Sequence, residues 1–210
     1  NDAVSRVWNL KKKLGMFEND YKPVIPITEE VLIDNNKKGY EIAQHSITML
    51  SNKSNIIPFK AKESKKILLV VISENDETST FEIFKNELIA NGFDVDIRYN
   101  LSFFKNGSEL ENISKKYDKI IFNYYAMPGT PWGSLALNGE GALTMWSSNK
   151  LPLSKVISIG FGDPYKNLIY LPRIWCRINC YNADKNTFKA LVNGLLGEIE
   201  FTGTSPVKLP

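Results

Sequence analysis

The sequence predicts an α/β fold: a doubly wound, three-layer sandwich around a mostly parallel sheet, with flavodoxin-like strand order, preceded by a helical extension. Two observations predict it. From Lys65 onward, short apolar runs alternate with stretches of helical periodicity, as in successive βαβ units. Residues 67–72 are continuously apolar and rich in β-branched side chains, which is typical of a strand buried on both faces of a parallel sheet.

Residues 1–30 are predicted to be a helix and a linker that precede the α/β domain at residues 31–210. Gly15 would end the helix as a C-terminal cap, and residues 17–28 hold two prolines and no periodicity. The apolar residues of this helix share one face: Val4, Val7, Trp8 and Leu14. A bulky apolar face at this position indicates that an upstream part of the protein packs on it.

A second helix is predicted from an N-cap at Asp34 or Asn35. Its buried face would consist of residues at helical spacing: Tyr40, Ala43, Ile47 and Leu50. The polar residues 51–55 are predicted to form a turn.

The remaining elements follow from the same patterns. Helices are predicted at residues 80–91 and 108–117, and strands at 67–72, 93–99, 119–124, 156–159 and 174–181. The last helix starts after Asp184, carries one apolar stripe and ends at Gly197. The stripe consists of Phe188, Leu191, Val192, Leu195 and Leu196.

Composition excludes several classes of protein. The chain has 43% hydrophobic and 23% charged residues and no apolar run of bilayer length, so neither a disordered chain nor a membrane span is expected. A net charge of +3 with scattered lysines favours no nucleic acid partner. Cys176 and Cys180 lie on one predicted strand, roughly 13 Å apart, beyond the reach of a disulfide. Free thiols favour a cytoplasmic location, although a targeting segment would lie upstream.

Ligands of doubly wound sheets bind beyond the carboxyl ends of the strands. The long segment at residues 125–141 follows the third strand there, and its Pro, Gly and Trp residues make it the first candidate for a binding loop. Gly160-Phe161-Gly162 also follows a strand, but a third glycine is missing, so a nucleotide-binding domain is disfavoured. His45 lies within the second helix and is interpreted as structural, and no cofactor or metal site is predicted.

Four motifs, in this order, resemble those of one enzyme family. KLGMF at residues 13–17 resembles the end of the last helix of a catalytic barrel, and IIPF at 56–59 resembles the turn that opens the following domain. GDPY at 162–165 is similar to a Gly-Asn-Pro-Tyr turn, with Asp163 in place of Asn. The helix at 191–198 and FTGTSPV at 201–207 are similar to a closing helix and strand. The family is the family 3 glycoside hydrolases, and the resemblance is to its C-terminal α/β domain.

The resemblance implies a parent enzyme that hydrolyses β-linked glycans with retention, using two carboxyl groups about 5 Å apart. The family's nucleophilic Asp belongs to the barrel, so this chain alone is expected to be inactive and to brace the barrel of the same polypeptide. The loop MPGTPW at 127–132 favours the β-N-acetylhexosaminidase branch, in which Trp132 would line the substrate cleft.

Two alternatives stay open. In the β-glucosidase branch the second domain supplies the acid/base, and Glu140 in NGEG resembles that residue, although the Asp-Arg expected just after it is replaced by Ala142-Leu143. A stand-alone carbohydrate-binding module is the other alternative, because flat aromatic side chains stack on sugar rings. Apart from Trp132, most candidates for such stacking are predicted to be core: Trp146, Trp175, Tyr124 and Tyr125.

Overall fold

The computed structural model describes residues 2–18, 20, 27–53, 55–59, 65–73, 76–100, 109–127, 148 and 151–209. The chain divides into two compact units, residues 1–37 and 38–210. The helices are α1 (Asp2–Lys13), α2 (Glu29–Ser46), α3 (Thr78–Ala90), α4 (Glu109–Lys116), α5 (Lys166–Tyr170) and α6 (Lys185–Leu196). The strands are β1 (Thr48–Asn52), β2 (Lys66–Ile72), β3 (Asp94–Tyr99), β4 (Lys119–Ala126), β5 (Val156–Gly162) and β6 (Cys176–Asn179).

The six strands form one sheet in the order β1-β6-β5-β4-β2-β3. β2 to β6 are all parallel, and β1 pairs antiparallel with β6 at one edge. Without β1, the order of the parallel strands is the flavodoxin-like order. The predicted fold class is therefore confirmed, with an additional antiparallel edge strand that the sequence did not reveal.

Helices cover both faces of the sheet, as alternate residues of β2 show. Ile67, Leu69 and Val71 belong to a core cluster that includes Phe81 of α3 and Phe188 of α6. The intervening residues belong to a second cluster with Ile113 of α4 packed against it: Leu68, Val70 and Ile72. Because successive strand residues point to opposite faces, this division establishes the three layers.

α1 ends as predicted. Gly15 adopts a left-handed φ of 69°, and its N–H donates to the Lys12 carbonyl at 3.0 Å. Every described residue of α1 is exposed, Trp8 by 58%. The Trp8 and Phe17 rings pack against each other, with centroids 4.7 Å apart.

The predicted start of the second helix is wrong. α2 begins at Glu29 rather than after Asp34 or Asn35, and Thr28 caps it: the Val31 N–H donates to Thr28 Oγ1 at 3.3 Å. Leu50 lies in β1 and not in the helix, and the predicted turn at 51–55 begins with strand residues. The antiparallel ladder with β6 draws these residues into the sheet, a long-range effect that local pattern does not contain.

Three further predictions need correction. α5 was missed, because its five residues are too few to show a helical period. β6 is shorter than residues 174–181, and Trp175 lies just outside it, 48% exposed rather than in the core. The closing segment after Phe201 forms no sheet strand; it is extended along the surface, where the Gly203 N–H donates to the Ile47 carbonyl at 3.1 Å.

Candidate functional site

The carboxyl ends of β4 and β5 are joined by backbone contacts. Gly162 ends β5 with a φ of 90°, and its N–H donates to the Tyr181 carbonyl at 3.1 Å. The N–H of Asp163 donates to the carbonyl of Ala126, the last residue of β4, at 3.0 Å. This fixes the position from which the long segment after β4 leaves the sheet.

The GDPY turn follows directly. Asp163 Oδ1 accepts the Tyr165 N–H at 2.9 Å, an Asx turn that leads the chain into α5. Asn, the residue of the resembled family, offers the same acceptor oxygen, so the replacement preserves the turn. Tyr165 is 39% exposed at this edge.

A buried network of side-chain amides from α5 and β6 holds the turn in place. Asn167 Nδ2 donates to the Ile178 carbonyl at 2.9 Å and to Asn179 Oδ1 at 3.0 Å, and Asn167 Oδ1 accepts the Ser158 hydroxyl. Asn179 Nδ2 donates to the Pro164 carbonyl at 3.0 Å. The three side chains are at most 1% exposed, and buried polar groups that satisfy each other fix a single geometry.

Gly160 leaves room for this network. A Cβ at position 160 would lie 2.8 Å from Asn179 Oδ1 and 3.0 Å from Asn167 Cβ. Gly160 and Gly162 thus allow strands and side chains to pack closely. They do not form a phosphate-binding loop. The disfavoured nucleotide-binding interpretation gains no support from their geometry.

The strand order reverses between β2 and β4, where doubly wound folds form their crevice. The end of β2 is held by Asn100, which has a left-handed φ of 43°. The Ser73 N–H donates to Asn100 Oδ1 at 3.0 Å, and Asn100 Nδ2 donates to the Ser73 carbonyl at 2.7 Å.

Two phenols lie beside this reversal. Burial raises the pKa of Tyr125, with a further contribution from the Glu77 carboxylate. Burial and the Glu82 carboxylate likewise raise the pKa of Tyr99, whose hydroxyl donates to the Thr78 carbonyl at 3.2 Å. Both phenols therefore stay neutral near pH 7 and can donate hydrogen bonds but cannot act as bases.

The predicted site residues Glu140 and Trp132 lie outside the described residues, as does Trp146. Tyr124 is buried in the core as predicted, and Tyr125 is partly buried against the core cluster on the other face of the sheet. His45 is exposed in the last turn of α2, and its Nδ1 lies 3.5 Å from Thr202 Oγ1. Among the described residues, no group of His, Cys, Asp or Glu side chains could hold a metal ion, and no helix is long and apolar enough to cross a membrane.

Sequence reasoning missed the asparagines that support this edge, Asn100, Asn167 and Asn179. A single Asn at the end of a strand or in a short helix is a weak signal, because such residues also occur in ordinary turns. Only their partners, which are distant in sequence, distinguish these three.

Comparisons with known proteins found relatives that match nearly the whole chain. No family model matches the chain. A β-N-acetylglucosaminidase/β-glucosidase of Cellulomonas fimi is 23% identical over 99% of this chain and 38% of its own length. The structure of the β-glucoside phosphorylase BglX matches with a TM-score of 0.75 and 25% identity, over 99% of this chain and 38% of that one.

The structure of a family 3 β-N-acetylglucosaminidase from Paenibacillus sp. has the same fold, with a TM-score of 0.66 and 18% identity, over 99% of this chain and 38% of that one. The chain thus spans about two fifths of the length of these relatives. The resemblance to the C-terminal α/β domain of family 3 glycoside hydrolases is confirmed.

Proposed function

We propose that this chain, which is related over nearly its whole length to family 3 glycoside hydrolases, is the non-catalytic C-terminal domain of a retaining β-glycosidase. The observation that supports this most strongly is the match of 99% of the chain to 38% of the Cellulomonas fimi protein. Residues 1–30 would be the last helix of an upstream barrel and its linker. The domain would brace that barrel, and the isolated chain would be inactive.

The exposed face of α1 and the fixed carboxyl edge of the sheet support this role. Val4 and Trp8 of α1 are 70% and 58% exposed, and exposed apolar surface of this kind marks an interaction site. The rigid ends of β4 and β5 would present the loop after Ala126, so that Trp132 lines the substrate cleft. The natural substrate in this proposal is a β-N-acetylglucosaminide, one of the two types of substrate that the name of the Cellulomonas fimi relative implies.

The test is hydrolysis of a β-N-acetylglucosaminide by the complete enzyme, with the 210-residue chain as a blank. We expect Glu140→Gln to keep near-wild-type activity and Trp132→Ala to raise KM. Glu77→Gln, at the same edge of the sheet, is the matched control. A loss of two or more orders of magnitude in Glu140→Gln alone would instead assign Glu140 as the acid/base of a β-glucosidase-type enzyme. Turnover by the isolated chain would contradict the proposal.

Phosphorolysis is a second candidate activity, favoured by the match to a β-glucoside phosphorylase. In that reaction a phosphate oxygen bonds to the anomeric carbon while the bond to the aglycone oxygen breaks, and that oxygen takes up a proton. Assays of the complete enzyme with and without inorganic phosphate separate the two activities. Formation of a sugar 1-phosphate indicates phosphorolysis, whereas free sugar at an unchanged rate indicates hydrolysis.

The stand-alone carbohydrate-binding module remains the alternative outside catalysis. It requires the 210-residue chain to bind β-linked glycans through Trp132 without any upstream domain. Titration of the chain with chitotriose tests it: binding that Trp132→Ala abolishes would favour a binding module over a bracing domain.

A further inference from the structure

The amino-terminal edge of the parallel sheet, opposite the candidate site, carries an exposed indole among basic side chains. Trp175 precedes β6 and is 48% exposed. Lys53 follows β1, whose antiparallel direction brings its end to this same edge. Arg173 and Arg177 lie two residues before and after Trp175. We name these four residues the Trp175 patch.

The backbone of Trp175 is fixed from two sides. Its carbonyl accepts the Ser51 hydroxyl at 2.8 Å and the Lys53 N–H at 3.2 Å. An exposed aromatic ring on a fixed backbone loses little conformational entropy when a ligand packs on it. Trp175 is therefore suited to serve as a rigid stacking platform.

Arg177 is partly buried, and the fold holds its guanidinium. Its neighbours Cys176 and Ile178 point into the core on one face of the sheet, so Arg177 lies on the other face. Its Nη2 donates to the Leu171 carbonyl at 2.8 Å, and its Nε is buried without a hydrogen-bond partner. Burial lowers the pKa of Arg177, but a guanidinium stays charged at neutral pH.

Acidic residues of β3 and β4 at this edge are already engaged. Asp118, directly before β4, accepts the N–H groups of Lys65 and Lys66 at 3.0 and 2.9 Å. Asp94 pairs with Lys66 at 3.2 Å, and Asp96 pairs with Lys116 at 3.5 Å. Both belong to β3, four strands from β6, which is roughly 19 Å at the usual strand spacing. In the described part of the chain, no ion pair is found for Lys53, Arg173 or Arg177.

We propose that the Trp175 patch binds a carboxylate-bearing sugar unit of a β-linked glycan, with the pyranose ring stacked on Trp175 and the carboxylate bound by the exposed Arg173. Guanidinium groups bind carboxylates through paired, charge-assisted hydrogen bonds. The choice of a sugar as ligand rests on the proposed glycosidase function. A single aromatic platform fits one ring, whereas single-stranded nucleic acids are bound by several successive aromatic side chains.

The test is calorimetric titration of the 210-residue chain with tri-β-D-mannuronate, a β-linked trimer with one carboxylate per ring. We expect saturable binding that weakens at least tenfold in Trp175→Ala and in Arg173→Gln, both at exposed positions. Binding should also weaken with added salt, as expected for ion pairing. Trp8→Ala and Arg98→Gln, which change an exposed tryptophan and an exposed arginine elsewhere, are the matched controls and should bind as the wild type does.

Several outcomes would overturn the proposal. These are absence of binding, equal binding by the two patch variants, and equal affinity for cellotriose, which lacks carboxylates. Equal affinity for a tri-glutamate peptide would show that the patch recognises charge alone, and would overturn the assignment to a sugar. The titration is independent of catalysis, so a complete enzyme without glycosidase activity would refute the proposed function and leave the binding result unaffected.

Discussion

Gly162 and Ala126 pack backbone against backbone at the ends of β5 and β4. A Cβ on Gly162 would lie 2.6 Å from the Ala126 carbonyl carbon and closer still to its oxygen. Gly162 also has a φ of 90°, which L side chains rarely adopt. The close approach of the carboxyl ends of β4 and β5 thus depends on a residue without a side chain.

Gly162→Ala is therefore expected to destabilise the chain by about 3 kcal/mol or more, since backbone strain of about 1–2 kcal/mol adds to a collision that moves β4 or β5. Gly92→Ala is the matched control: its φ is 89°, and nothing lies within 4 Å of the added Cβ. It should lose only the strain energy. Urea unfolding measures both, and equal losses would show that the Ala126 contact relaxes at no cost.

Asn167→Ala should also destabilise the chain, by about 3 kcal/mol, because it leaves the Ser158 hydroxyl and Asn179 Oδ1 buried without their partners. Asn182→Ala removes an exposed bond to Asp184 Oδ2 of 2.6 Å and should cost less than about 1 kcal/mol. Thermal unfolding compares the two variants. Similar losses would contradict the importance of the buried network.

A hydrogen bond between Tyr117 and Asp96 predicts a dependence of stability on pH. The Tyr117 hydroxyl donates to Asp96 Oδ2 at 2.5 Å and lowers the pKa of this carboxyl, although burial opposes the shift. A lowered pKa in the folded state means that the stabilisation is present above the unfolded pKa, near 4, and is lost as the pH falls through the folded value.

Tyr117→Phe should therefore cost about 1 kcal/mol at pH 7, discounted because Asp96 is one-third exposed, and the difference from the wild type should shrink as the pH falls through the lowered pKa of Asp96. Tyr99→Phe is the control, because Tyr99 donates to a neutral carbonyl, and its cost should not change across this range. Urea unfolding at a series of pH values measures both. A constant cost for Tyr117→Phe would contradict the assignment.

The thiols of Cys176 and Cys180 should resist alkylation in the folded chain. Both are free and buried, and burial raises the pKa of Cys176 to about 12 and that of Cys180 as well. Since the thiolate is the reactive form, iodoacetamide at pH 8 should label neither residue until urea unfolds the chain. Mass spectrometry counts the labels, and the Cys176→Ser variant assigns them. Labelling of the folded chain would show that the β6 region opens.

The sequence by itself determined the features that depend on neighbouring residues. The end of α6 at Gly197 and its start at Asp184, whose side chain accepts the Thr187 N–H at 2.8 Å, follow from local capping chemistry. The continuous apolar run of β2 likewise predicted a doubly covered parallel strand. Both signals lie within a few residues, so no knowledge of the fold was needed.

Only the tertiary structure decided the features that depend on distant partners. Leu50 lies in β1 because β6 offers an antiparallel ladder. Asn167 and Asn179 meet because α5 packs against β5, from where the Asn167 side chain reaches β6. Trp175 is 48% exposed although its neighbours Ile174 and Cys176 are buried, a difference that the sequence pattern does not show. A short stretch of sequence determines its own hydrophobic period and its helix caps. The pairing of strands and the burial of side chains depend instead on residues that are distant in sequence and that the fold brings close.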